Sequence, residues 1–149
     1  MIPILAAILL SGQAIETAPA DCSKAMTTPE INACAGLDLE RETARMERYL
    51  AAARTRAREL DAVDDVRDRS HQQVYLQNAQ KAWEAYAAIV CDGVYDEWKG
   101  GTIRNAMYIG CQVEMTRERT RVIWRDYLTY ADSTPPILPE PVDPATDAP

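Results

Sequence analysis

One histidine and six glycines in 149 residues leave little room for several kinds of protein. His71 stands far from any cysteine pair, and the four cysteines are 12, 57 and 20 residues apart with no C-x-x-C among them. That spacing argues against a zinc site, and neither metal nor cofactor is expected. No serine, cysteine or lysine sits in a recognisable nucleophile setting. The paired carboxylates Asp64-Asp65 and Asp96-Glu97 fall in charged stretches, not in an apolar pocket that would raise a pKa. No catalytic residue is assigned, and the chain does not read as an enzyme. A basic face is also lacking. All 16 Lys and Arg lie between Lys24 and Arg125, within the stretch Asp21 to Tyr130 that carries 18 of the 23 acidic residues, so nucleic acid is not an expected partner. No segment alternates in the manner of a β-strand, and beyond Leu10 no apolar run approaches the ~20 residues that span a bilayer.

What is present begins with an apolar leader. Ile2 to Leu10 is apolar without interruption, and small residues follow, so residues 1–20 read as a secretory signal with cleavage after Ala14 or Ala20. Asp21 precedes Cys22 where a lipobox would place a small residue, so no lipid anchor is expected. The expected location is periplasmic or extracellular, with no membrane span in the mature form. An even cysteine count in a short exported chain points to disulfides. Of the three connectivities, Cys22–Cys34 and Cys91–Cys111 are favoured because each pair brackets a turn between or before helices. Each would contribute about 3 kcal/mol in the loop-entropy account.

Residues 21–130 read as one helical domain. Thr28-Pro29-Glu30 is a helix start, with Thr28 as cap, and Leu39, Met46, Leu50, Ala53, Ala57 and Leu60 form an apolar stripe at three- and four-residue steps. After a charged turn from Asp61 to Arg69, Ser70 caps a second helix carrying Leu76, Ala79, Trp83, Tyr86, Val90 and Cys91, expected to close at Asp92-Gly93. A connection from Val94 to Gly101 precedes a third helix capped by Thr102 and reaching about Tyr130. Its stripe of Ile103, Met107, Cys111, Met115, Val122, Ile123 and Tyr127 weakens between Thr116 and Arg121. The expected fold is all-α, an elongated antiparallel bundle of about three long helices with two disulfides. Residues 131–149 hold six of the nine prolines and no basic residue, and are expected to form a mobile acidic tail.

Three separated blocks carry a family resemblance. Cys22 is followed by Glu30-Ile31-Asn32-Ala33-Cys34-Ala35. Ala79-Gln80-Lys81-Ala82-Trp83-Glu84-Ala85-Tyr86 precedes Cys91, and Gly100-Gly101-Thr102 precedes Cys111 and Thr116-Arg117-Glu118-Arg119. In these blocks the chain resembles the LprI-like lysozyme inhibitor family of exported bacterial proteins, over Cys22 to about Ile123. Arg45-Met46 stands where that family often has Leu-Asn, and Ala87 where it often has arginine. The resemblance implies a protein partner, specifically a basic lysozyme-type muramidase that the domain binds and inhibits. The other reading is a structural or adaptor module of the cell envelope that leaves lysozyme untouched.

The motif residues Asn32, Gln80, Trp83, Tyr86 and Arg119 are expected to be structural. Trp83 and Tyr86, one helical step apart, should fill the core; Asn32 and Gln80 should bond backbone near helix ends; Arg119 should pair with Glu42 or another acidic side chain. The candidate partner-binding segment is the second connection, with Tyr95, Asp96, Glu97, Trp98, Gly100 and Gly101. Aromatics on a loop suit a protein interface, and the nearby acids suit a basic partner.

Overall fold

The computed structural model describes residues 21–63 and 70–142. The expected signal segment and most of the first charged turn lie outside them. A short 3-10 turn, Cys22–Lys24, leads into α1 (Thr28–Val63), α2 (Gln72–Glu97) and α3 (Arg104–Ile123), and a π-helical turn, Trp124–Leu128, continues α3. The fold is an all-α bundle, and its chain directions follow from cross-helix contacts. Gln80 meets Arg119 and Cys91 meets Cys111, so α2 and α3 are antiparallel. Glu42 meets Arg117 and Arg56 meets Tyr127, so α1 and α3 run parallel, in an up–down–up order.

Thr27, not Thr28, caps α1. Its hydroxyl accepts from the Glu30 N–H at 3.4 Å while the Glu30 carboxylate accepts from the Thr27 N–H at 2.9 Å, a reciprocal capping box. Thr28 and Pro29 then occupy the first turn, where a missing N–H costs nothing. The start of α2 is capped from another helix. Asp61, near the end of α1, accepts from the backbone N–H of Gln72 at 2.7 Å and of Gln73 at 3.1 Å. Ser70 lies just outside α2, and His71 is its N-cap residue without a side-chain cap bond. Desolvation pushes the Asp61 carboxyl up, but hydrogen bonds from Gln73 and Gln72 outweigh it and hold its pKa below the ordinary 3.8.

A depressed folded-state pKa stabilises above the unfolded value and is lost as pH falls through the folded one. Protection of the Gln72 and Gln73 amides from hydrogen exchange should therefore hold from neutral pH to about pH 5 and decline below pH 3.8. Flat protection to about pH 2 would contradict this anchoring.

The apolar core sits in one half of the bundle. Met46, Tyr49, Leu50, Ala53 and Ala57 of α1 pack with Leu76, Ile123 and Leu128, and Trp83, Trp124, Tyr127 and Leu138 lie against them. In the other half, formed by the start of α1, the end of α2 and the start of α3, the buried hydrophobic side chains are Cys91 and Val113. Both disulfides staple that half: Cys22–Cys34 and Cys91–Cys111, each with Cα atoms 5.6 Å apart. Covalent links thus stand where burial is thin.

Several boundary expectations are corrected. α2 does not close at Gly93 but continues to Glu97, because Gly93 adopts no left-handed conformation and Cys91 is tied to α3 on the inner face. Thr102 lies in the connecting turn; the N-cap residue of α3 is Ile103. Leu60, expected in the α1 stripe, is 44% exposed, while Glu42 and Tyr49 are buried.

The tail is also corrected as far as Val142. Rather than moving freely, it runs back between α1 and α3 as a strap. The Ile137 N–H donates to Leu128 O, Trp124 Nε1 to Leu138 O, and Tyr49 Oη to Pro139 O, all within 2.9 Å, and Arg45 donates to Val142 O at 2.6 Å. Prolines suit such an extended strap because they lower the entropy cost of ordering it and have no N–H to satisfy. Arg56 completes this end, donating to Tyr127 O and Thr129 O while its guanidinium lies 4.3 Å from the Tyr130 ring centre. A cation there also suits the carbonyl-rich end of α3.

Candidate protein-binding surface

The candidate segment proves to be partly helix. Tyr95, Asp96 and Glu97 form the last turn of α2, and the true connection is the six residues Trp98–Ile103. Tyr95 is half-buried, edge-on to Tyr108 of α3 at 5.7 Å, with the Arg104 guanidinium 4.7 Å from its ring centre. Its role in this arrangement is to clamp the turn. Asp96 and Lys99 form an exposed pair at 3.2 Å. Trp98 is 37% exposed and Glu97 is exposed.

Gly100 and Gly101 have ordinary negative-φ backbones. The Gly101 N–H donates to Trp98 O at 2.8 Å and closes the turn, and an added Cβ would stand 3.4 Å from that oxygen, a close van der Waals contact. The turn is thus held at its base by Cys91–Cys111 and the Tyr95–Tyr108–Arg104 cluster, with Trp98 and the carboxylates of Asp92, Asp96 and Glu97 at the surface. From the chain directions, it lies at the same end as the first turns of α1 and their disulfide.

The motif residues divide into an inner and an outer set. Arg119, only 7% exposed, donates from Nε to Gln80 Oε1 at 3.0 Å, and Gln80 donates onward to Glu84 at 3.1 Å. Arg119 therefore meets an amide rather than the expected Glu42; burial alone pushes its pKa below the usual arginine range. Glu42, 1% exposed, is engaged by Arg45 at 2.6 Å and Arg117 at 3.3 Å. Its Oε2 has this ion pair but no aligned hydrogen bond, so charge compensation holds it. Trp83 packs on the core. Tyr86, expected beside it, is 60% exposed: one helical step turns it away from the face that α3 covers. Ala79 is exposed for the same reason. Asn32 Oδ1 is buried without a hydrogen-bond partner, not bonded to backbone as expected.

Sequence reasoning missed the Glu42–Arg45–Arg117 cluster. The signal was there in Arg45, whose unusual position in the first-helix pattern is the one that meets Glu42. Between α1 and α2 an open groove of about 440 Å³ is floored by Leu50 and Leu76 and edged by Arg54, Arg58, Lys81 and Glu84. Among the described residues no group of three or more His, Cys, Asp or Glu is placed to hold a metal ion, and no helix is long and apolar enough to cross a membrane.

The scaffold that unites the three sequence blocks is now explicit: two disulfides and a buried Gln80–Arg119 contact. A family model for "Lysozyme inhibitor LprI" matches residues 19–122, most of the chain. The chain belongs to the LprI lysozyme inhibitor family. An uncharacterized protein of Rhizobium meliloti (strain 1021) is 30% identical over 104 residues, covering 67% of this chain and 73% of that protein. No solved structure matches. The LprI match ends at residue 122, so the π-helical turn and the proline strap that close the core lie beyond the matched residues.

Proposed function

We propose that the domain is exported and binds and inhibits a lysozyme-type muramidase, with the clamped α2–α3 turn as its contact surface. Membership in the LprI family supports the inhibitory reading. The placement rests on one observation: Trp98 is exposed where α2 ends, at the edge of a turn whose base is fixed by a disulfide and an aromatic pair. A large aromatic on a rigid support loses little entropy on binding, the usual property of an interface anchor. Asp92, Asp96 and Glu97 around it would meet a basic enzyme, raising the association rate and giving it salt dependence.

Trp98→Ala, at a surface position, should weaken binding to a basic lysozyme at least tenfold by calorimetry without changing helicity. Tyr95→Ala should instead loosen the turn and lower thermal stability. Unaltered affinity in a folded Trp98→Ala protein would remove the turn from the contact surface and leave the family-based reading to be tested by inhibition itself.

A further inference from the structure

α2 has a second apolar face, and the bundle does not use it. Its inner face carries Leu76, Gln80, Trp83 and Cys91. On the outer side, Tyr75, Ala79, Ala82, Tyr86, Ile89 and Gly93 are all exposed, Tyr75 at 64%, Tyr86 at 60% and Ile89 at 73%. The steps between them are four, three, four, three and four residues, the seam spacing of a helix that packs against another helix. The stripe is about 27 Å long. Lys81 and Glu84 lie off it; Asp92 is the charged residue on its flank.

The order of large and small side chains identifies the occupant. If a second copy of α2 lies antiparallel in full overlap, Tyr75 faces Gly93, Ala79 faces Ile89 and Ala82 faces Tyr86, and the two-fold axis repeats these three layers in reverse. Every large side chain meets a small one. In a parallel pair each tyrosine would meet itself and each alanine would face alanine, leaving bulges and voids in alternation. Along the flank of the antiparallel pair, Ala85 meets its own symmetry mate, allowing close approach, and the Asn78 amide faces the Asp92 carboxylate. The geometry points to an antiparallel homodimer formed through the outer face of α2. The area covered would be on the order of 1,200 Å² in total, at the lower edge of specific interfaces, which suits a dimer of micromolar affinity. Trp98 and the turn that follows it lie beyond the overlap, at the two far ends of such a pair, whereas Asp92 belongs both to the flank of the seam and to the acidic surface proposed for lysozyme.

Sedimentation equilibrium of the purified, oxidised protein from low micromolar to several hundred micromolar tests this directly. The expected result is a monomer–dimer equilibrium that Ala82→Glu weakens at least tenfold with unchanged circular dichroism. Ala85→Cys should give a covalent dimer on air oxidation, and Ala88→Cys, turned away from the two-fold axis, should not. A monomer at every concentration, or a dimer indifferent to Ala82→Glu, would overturn the proposal. Cross-linking through Ala88→Cys rather than Ala85→Cys would overturn the antiparallel arrangement.

Discussion

Glu42→Ala should be strongly destabilising, lowering stability by about 3–5 kcal/mol. Glu42 is 1% exposed and lies between Arg45 of its own helix and Arg117 of α3, whose side chains are 17% and 16% exposed. Removing the carboxylate leaves two largely buried guanidinium groups facing each other with their compensating charge gone. Arg117 retains Glu114 at 2.7 Å, and Arg45 retains the Val142 carbonyl, but neither replaces the charge between them. The neighbouring pairs offer a control. Asp38–Arg41 is exposed on both sides, and Asp38→Ala should cost under about 1 kcal/mol. Urea unfolding of the two variants side by side measures the contrast. Equal effects would mean that the buried cluster is no more than a solvent-screened pair.

The second large effect concerns the strap. Truncation after Tyr130 should destabilise the bundle by about 3–5 kcal/mol, because it removes several hydrogen bonds worth about 1 kcal/mol each as well as apolar cover. Tyr49 Oη and Trp124 Nε1 lose the carbonyls of Pro139 and Leu138, and the Leu138 side chain no longer lies against the core. Leu138→Ala should reproduce part of the loss without shortening the chain. If thermal unfolding of the truncated protein matched that of the full chain, the strap would be an incidental contact and not a wall of the core.

The contrast between these features and the sequence pattern shows what periodicity can reveal. Met46, Leu50, Ala53 and Ala57 were legible because an apolar stripe at helical spacing has one physical explanation, a buried face. The cysteine pairing was legible because short loops bracket turns. The gap in the α3 stripe between Thr116 and Arg121 was legible as polarity but not as burial. Thr116 and Thr120 are buried there because each hydroxyl donates to the carbonyl four residues earlier, a bond invisible to any apolar count. Arg119 is tolerated inside because Gln80 arrives from another helix, and Glu42 because two arginines converge on it. Such pairings are set by helix register, which no single helix encodes. Proline content in the tail suggested freedom; the acceptors that order it, carbonyls of the strap itself, are not a sequence signal. On α2 the same periodicity misplaced Tyr86 and Ala79, because the helix has two apolar faces and the pattern does not say which one the bundle covers.

In the candidate contact region, the sequence drew attention to Trp98 and to the acids before it but not to the rigidity of their support. That rigidity comes from Tyr95–Tyr108 and Cys91–Cys111, contacts between residues 13 and 20 positions apart. The apolar core lies at the opposite half of the bundle, so the presenting end depends on its disulfides more than the core does. Reduction should therefore disorder the turn while much of the helical core persists.

A muramidase assay with the oxidised protein, titrated against a basic lysozyme, tests the central claim most directly. The account predicts dose-dependent inhibition that reduction of the disulfides abolishes while most of the helical circular dichroism remains. Undiminished lysozyme activity at high molar excess of folded, oxidised protein would contradict it.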